Sequence, residues 1–301
     1  MANEYDAQYT VVDTDSSVLL LLEVDQVVFT MTSSNSDPTK AGQGDTVTIS
    51  TTASYLSAIE IDINSQTLFG GRVGGEWQMT YSITSNSPNG NLSISSMTAT
   101  DVAGNTGNSF SVSTSVEVDL VAPTVASVDA GTTTAAGSYG VGDVVSVGLS
   151  FSEDVVVGSG TQPVLLFTNS LQAAYNSSAS TSTVLVFSFT VQTGQTTNGA
   201  NLGFLSTTSG LSDPDNTITD SFGNDANTVL PQATLPNAIV IDGISPTITT
   251  FEGPSGTFKI GDSVGNITVV FSEDVVVQGS PTLTLSIGAA TFVGQDESDA
   301  T

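Results

Sequence analysis

The sequence predicts an all-β chain of tandem antiparallel β-sandwiches, and three observations carry that reading. Apolar and polar residues alternate with period two along many short stretches. Clusters of Gly, Asn, Asp and Ser interrupt these stretches at short intervals. A set of motifs then recurs in the same order along the 301 residues. Period-two alternation rich in β-branched and aromatic side chains marks a strand with one buried face. No segment shows convincing helical periodicity.

The alternation is plainest in three places. Ile59, Ile61 and Ile63 are separated by acids, Trp77, Met79, Tyr81 and Ile83 by Gln, Thr and Ser, and Leu185, Phe187, Phe189 and Val191 follow the same rule. Leu92 and Ile94 change phase to Met97 and Ala99 across Ser95 and Ser96, which predicts a bulge there. Turn chemistry such as Ser-Pro-Asn-Gly at 87–90 closes the strands.

The repeat is the strongest signal. Phe-Ser-Glu-Asp-Val-Val-Val occupies 151–157 and recurs unchanged at 271–277. Upstream, Tyr-Gly-Val-Gly-Asp at 139–143 answers Phe-Lys-Ile-Gly-Asp at 258–262. Asp119 precedes Pro123-Thr124 as Asp242 precedes Pro246-Thr247, and Pro163-Val-Leu-Leu downstream answers Pro281-Thr-Leu-Thr. A more distant unit opens with Gly44-Asp45 and closes with Asp-Val-Ala-Gly-Asn at 101–105, mirrored by Asp-Ser-Phe-Gly-Asn at 220–224. These matches predict a leading segment at 1–25, repeats at 26–121 and 122–244, and a third at 245–301 that stops about halfway. Short strands, frequent turns and units of about 95–125 residues suit a Greek-key sandwich.

Composition excludes several functions. Hydrophobic residues make up 38%, enough for real cores, yet the net charge is -27 because 30 Asp and Glu face only Lys40, Arg72 and Lys259. Three cations cannot neutralise a nucleic-acid backbone, so no nucleic-acid partner is expected. Anionic membranes and nucleotide sites are disfavoured for the same reason, and no phosphate loop is present. With no His and no Cys, imidazole acid–base chemistry, serine or cysteine triads and thiolate zinc sites are ruled out within the chain. Carboxylate chemistry of the glycosidase kind remains, and no motif points to it. The chain is therefore read as non-enzymatic, with no catalytic residues and no organic cofactor. Scarce Lys and Arg also leave few trypsin sites, as suits an exposed protein.

The longest strongly apolar run, 18–22, is too short to span a bilayer, so no direct membrane insertion is expected. Residues 2–6 after Met1 lack the basic start of a signal peptide. The expectation is that a leader has been removed, or that the protein leaves by another route such as assembly into a virus particle.

Gly-Asp-x-Val, Phe-Ser-Glu-x-Val, Asp-x-x-Gly-Asn and Val/Ile-Asp-x-x-x-Pro-Thr together resemble the bacterial and archaeal immunoglobulin-like repeats of large surface proteins, namely adhesins, biofilm and surface-layer proteins. Similar modules occur in phage fibres. The resemblance covers about residues 26–301 and implies tandem immunoglobulin-like sandwiches serving as spacers, lattice tiles or adhesive heads. The expected function is a structural or adhesive protein on an extracellular or cell surface, partnered by copies of itself or by other surface proteins. The alternative is a virion component, a head or tail fibre anchored by its N-terminus among other virion proteins. A carbohydrate-binding module would need exposed aromatics, and the 7% aromatic residues are read as mostly committed to strand cores.

Such repeats often bind calcium near their junctions. The resemblance places that role on Asp101, Asn105 and Asp119, and on Asp220, Asn224 and Asp242. Hard oxygen donors suit Ca2+, but Asp and Gly-Asn also build turns with no ion, and both readings stand at this point. Asp213 and Asp215 could contribute, without forming an EF-hand. Glu153-Asp154 and Glu273-Asp274 are read as solvated strand ends rather than a second cation site. Trp77, in register with Met79 and Tyr81, is read as core. Asn91, Asn176 and Asn266 begin glycosylation sequons, which a Ser/Thr-rich chain produces by chance. Finally, the strand-like runs at 9–12 and 18–24 could complete the half-repeat of a neighbouring subunit by strand addition; a simple cut within the repeat array is the plainer expectation.

Overall fold

A computed structural model describes residues 26–129, 131–286 and 288–291, and these are all-β. The leading segment 1–25, and with it the strand-addition idea, falls outside the described residues. The one helical turn among them, Thr168–Ser170, carries Asn169 at φ 61° and does not propagate. Contacts divide the chain into two compact units. The first comprises Met1–Ala135, Ser146–Phe189 and Gly203–Asn237; the second comprises Ala136–Val145, Thr190–Leu202 and Ala238–Thr301. This division cuts across the second sequence repeat.

In the first unit, the first repeat folds around one core as two main sheets and a small third one in the order Lys40–Ala41, Glu117–Val118, Gly90–Asn91. One main sheet has the order Phe110–Val112, Val27–Ser33, Thr46–Thr51, Glu76–Ser82, Gly71–Val73. The other runs Thr106–Gly107, Ile94–Asp101, Leu56–Ile63, Gln66–Phe69. In these two main sheets neighbours are antiparallel except that Val27–Ser33 lies parallel to Phe110–Val112. Because successive side chains point to opposite faces, every second residue goes inward. Val47 and Ile49, Trp77, Met79 and Tyr81, and Ile59, Ile61 and Ile63 all join the same buried cluster. The bulge expected at Ser95 is present: Asp62 pairs with Ser96 and Ile63 with Ile94, which leaves Ser95 unpaired.

The second repeat contributes a six-stranded sheet in the order Val125–Asp129, Val144–Phe151, Val184–Thr190, Gln172–Tyr175, Val164–Leu166, Leu211–Ser212. Phe167 anchors it, stacked on Phe204 at 5.5 Å between ring centroids and tilted against Phe189 at 6.0 Å. The second unit holds a parallel pair, Gly137–Tyr139 with Ile239–Ile241, and two antiparallel pairs, Ile248–Glu252 with Thr268–Phe271 and Thr282–Leu285 with Gly288–Thr291.

Matching motifs adopt matching geometry. Each Gly-Asp pair is a tight turn with its glycine left-handed, at φ 94° for Gly44, 94° for Gly142 and 100° for Gly261, a conformation that a Cβ would penalise. In each, the aspartate carboxylate accepts the N–H three residues earlier: Gly42 at 2.9 Å, Gly140 at 2.9 Å and Lys259 at 3.0 Å. The Pro-Thr motifs are tied to Phe-Ser-Glu by reciprocal bonds. Thr124 N–H donates to Ser152 Oγ at 3.0 Å and Ser152 N–H to the Thr124 carbonyl at 2.9 Å. Thr247 and Ser272 repeat this at 3.0 and 2.8 Å.

Val125 and Val128 are 6% and 8% exposed; Ile248 and Phe251, at the same strand positions of the third repeat, of which about half is present, are 50% and 57% exposed. Phe69, at 73%, also lies outside any core, while Phe29, Trp77, Tyr81, Phe151, Phe167, Phe187 and Phe204 are buried.

Removing the fully buried Phe29 ring by Phe29→Ala is expected to cost roughly 3–5 kcal/mol in urea unfolding followed by Trp77 fluorescence. Phe251→Ala, at an exposed position, is expected to cost less than about 1 kcal/mol.

Candidate metal centre

The two Asp-x-x-Gly-Asn motifs fold as the same loop. Asp101 is buried; its Oδ1 accepts the N–H groups of Ala103 and Asn105, both at 2.8 Å, and its Oδ2 accepts Asn105 Nδ2 at 2.9 Å. Asp220, also buried, accepts Phe222 N–H at 2.8 Å and Asn224 N–H at 2.9 Å on Oδ1, and Asn224 Nδ2 at 2.8 Å on Oδ2. A buried carboxylate needs such donors, because an unpaired charge away from water is costly. The Asn105 side-chain amide, and then the backbone N–H groups of Asn105, Ala103 and Gly104, hold Asp101 below the ordinary carboxylate range against the opposing effect of burial.

The loops differ in their surroundings. Carboxylate oxygens of Asp119, Glu153 and Asp220 lie within 4.8 Å of one another, with Asp220 buried and the other two half-buried. Each acid is delivered by a different repeat motif. Asp119 follows the strand Glu117–Val118, whose parallel pairing with Lys40–Ala41 continues as a bond from Asp119 N–H to the Ala41 carbonyl at 3.1 Å. Glu153 follows Ser152, itself tied to Thr124, and Asp220 caps its own loop. Asn224 joins the two sides by donating Nδ2 to the Asp119 carbonyl at 3.0 Å. Burial, and then the negative charges of Asp119 and Asp220, raise the Glu153 carboxyl above its ordinary value. Three crowded carboxylates favour a hard divalent cation, which Ca2+ satisfies with oxygen ligands alone.

The six positions expected from sequence therefore separate. Asp119, Asp220 and Asn224 come together. Asp101 and Asn105 form a self-satisfied loop, and among the described residues no second and third acid approach it. Asp242 lines a separate cleft with Glu273, and its Oδ1 accepts Ile244 N–H at 3.2 Å as Asp119 Oδ1 accepts Val121 N–H at 2.9 Å. Glu273 Oε1 is buried there without a hydrogen-bond partner.

Glu153 is the residue for which sequence reasoning weighed a cation site and preferred a solvated strand end. Read as a solvated strand end, it instead faces two other carboxylates. The available signal was its position directly after Ser152, which pairs with Thr124 of the Pro-Thr motif, five residues after Asp119. Asp213 and Asp215 stay apart from this group: Asp213 accepts Thr217 and Ile218, and Asp215 accepts Thr161. Trp77 is core, covered by the Arg72 guanidinium 5.0 Å from its ring. Of the sequon asparagines, Asn91 and Asn266 are exposed, while Asn176 donates to Ser188.

Neither a protein-family model nor a curated protein sequence matches this chain.

The raised Glu153 carboxyl fixes a sign. Without a cation, its contribution to stability is complete below the ordinary carboxylate pKa and is lost as pH rises through its elevated value. In chelator, Glu153→Gln is expected to raise the unfolding midpoint at pH 7 and to flatten its decline as pH rises above the ordinary carboxylate range, about pH 4. Asp101→Asn is expected to lower stability equally in calcium and in chelator, by about 1–3 kcal/mol, because its hydrogen bonds are internal to the loop.

Proposed function

We propose that this chain is a non-enzymatic structural or adhesive repeat protein of an exterior surface. Its repeats act as tandem immunoglobulin-like sandwiches that form a stiff stalk, sheath or lattice with Ca2+ at the junction between the first two. The observation that carries this reading is the Asp119–Glu153–Asp220 group, because its acids come from the end of one repeat and from two motifs of the next. A cation there would tie the repeats together and relieve carboxylate repulsion in one step.

The local repetition of turns and strand registers supports a tandem array, and the two-sheet core of the first repeat supports the sandwich. The resemblance to surface-protein repeats supports an exterior location and partners that are further copies or neighbouring surface proteins. Asp220 is poorly suited to catalysis: it is buried, and both its oxygens hold the loop in place. No helix among the described residues is long and apolar enough to cross a membrane.

Thermal unfolding in calcium and in chelator tests the proposal. A ligand that binds only the native state must stabilise it, by about 2.7 kcal/mol at one hundred times its Kd. The midpoint is expected to rise by several degrees in calcium for wild type and to stay fixed for Glu153→Gln. An unchanged wild-type midpoint would remove the cation from the proposal.

A further inference from the structure

The loop that carries Asp220 also reaches back onto the first repeat, through contacts that involve no carboxylate cluster. We infer that residues 221–224 act as a latch, which makes the first two repeats a single cooperative unit even without a cation.

The seat lies around the first Gly-Asp turn. Asp45 accepts Gly42 N–H at 2.9 Å and Asn35 Nδ2 at 3.1 Å, and so orients the Asn35 amide. That amide donates its other hydrogen to the Phe222 carbonyl at 2.9 Å. Lys40 Nζ donates to Ser221 Oγ at 2.8 Å and sits 5.1 Å from the Phe222 ring centroid, a cation–π distance. Gly42 is buried, and a Cβ there would collide with the Phe222 carbonyl oxygen. Its φ is not left-handed, so close approach of the two backbones, rather than turn geometry, requires glycine at this position. Asn224 completes the latch through the Asp119 carbonyl. The contact division agrees: the first repeat and most of the second, including this loop, fall in one compact unit.

One of only three basic residues in the chain is committed to this seat. The second repeat keeps glycine at the position of Gly42, as Gly140, but places Ser138 where the first has Lys40. The complete latch is thus a property of the first junction.

The test is urea unfolding of the full chain in EDTA with two probes. Trp77, the single tryptophan, reports the first repeat. Hydrogen exchange of the amides in 146–151 and 184–189 reports the second. Wild-type midpoints are expected to coincide. Gly42→Val, placed in the first repeat, and Phe222→Ala, placed in the second, are each expected to separate them by about 0.5 M urea or more. If Gly42→Val fails to fold the first repeat, Phe222→Ala still decides the question. Separate midpoints in wild type, or midpoints that coincide in Phe222→Ala, would overturn the inference. Because EDTA is present throughout, neither outcome depends on the cation.

Discussion

The buried carboxylate of Asp220 is the constraint around which the first junction is organised. Its two oxygens collect three N–H donors from a single loop, so the loop has one shape rather than many. That shape does two things at once. It leaves a negative charge beside Asp119 and Glu153, and it presents the Phe222 carbonyl and the Asn224 amide to the first repeat. The same motif at Asp101 builds the same loop, but there the motif is followed by neither an acidic partner nor a seat among the described residues. Loop geometry is therefore necessary for the junction and insufficient for it.

The chain's charge balance explains why that junction is built from acids. With three basic residues against thirty acidic ones, a carboxylate needing compensation rarely finds a guanidinium or ammonium group. Among the described residues, many acids are satisfied by backbone N–H groups and hydroxyls, as Asp62 is by Ser96 and Thr67. Glu153 differs: it is partly withdrawn from water and faces two like charges. A divalent cation or a proton is then the natural compensation, and a surface so poor in cations offers little competition for either.

Much of the architecture was legible along the chain. Alternation at Ile59, Ile61 and Ile63, the phase change at Ser95, the role of Trp77 and the equivalence of the Gly-Asp turns all follow from rules that act within a few residues. Side-chain alternation has a period of two, and glycine at positive φ is a local preference. The resemblance of Asp101–Asn105 to 220–224 was likewise readable, because an Asx-type loop is made by its own five residues. Glu153 was not readable in this way. Its neighbours in sequence are ordinary for a strand end, and its two acidic partners arrive from distant turns.

What the sequence by itself determined was therefore the repertoire: strands, turns, repeat order and the self-capped acidic loops, each set by interactions between near neighbours. Tertiary structure alone decided which of those parts meet. It brought Glu153, rather than Asp101, to Asp119 and Asp220, and it set Gly42 against the Phe222 backbone. The physical reason is that burial and charge proximity are sums over every segment packed at a point, and a repeated motif does not carry its surroundings with it.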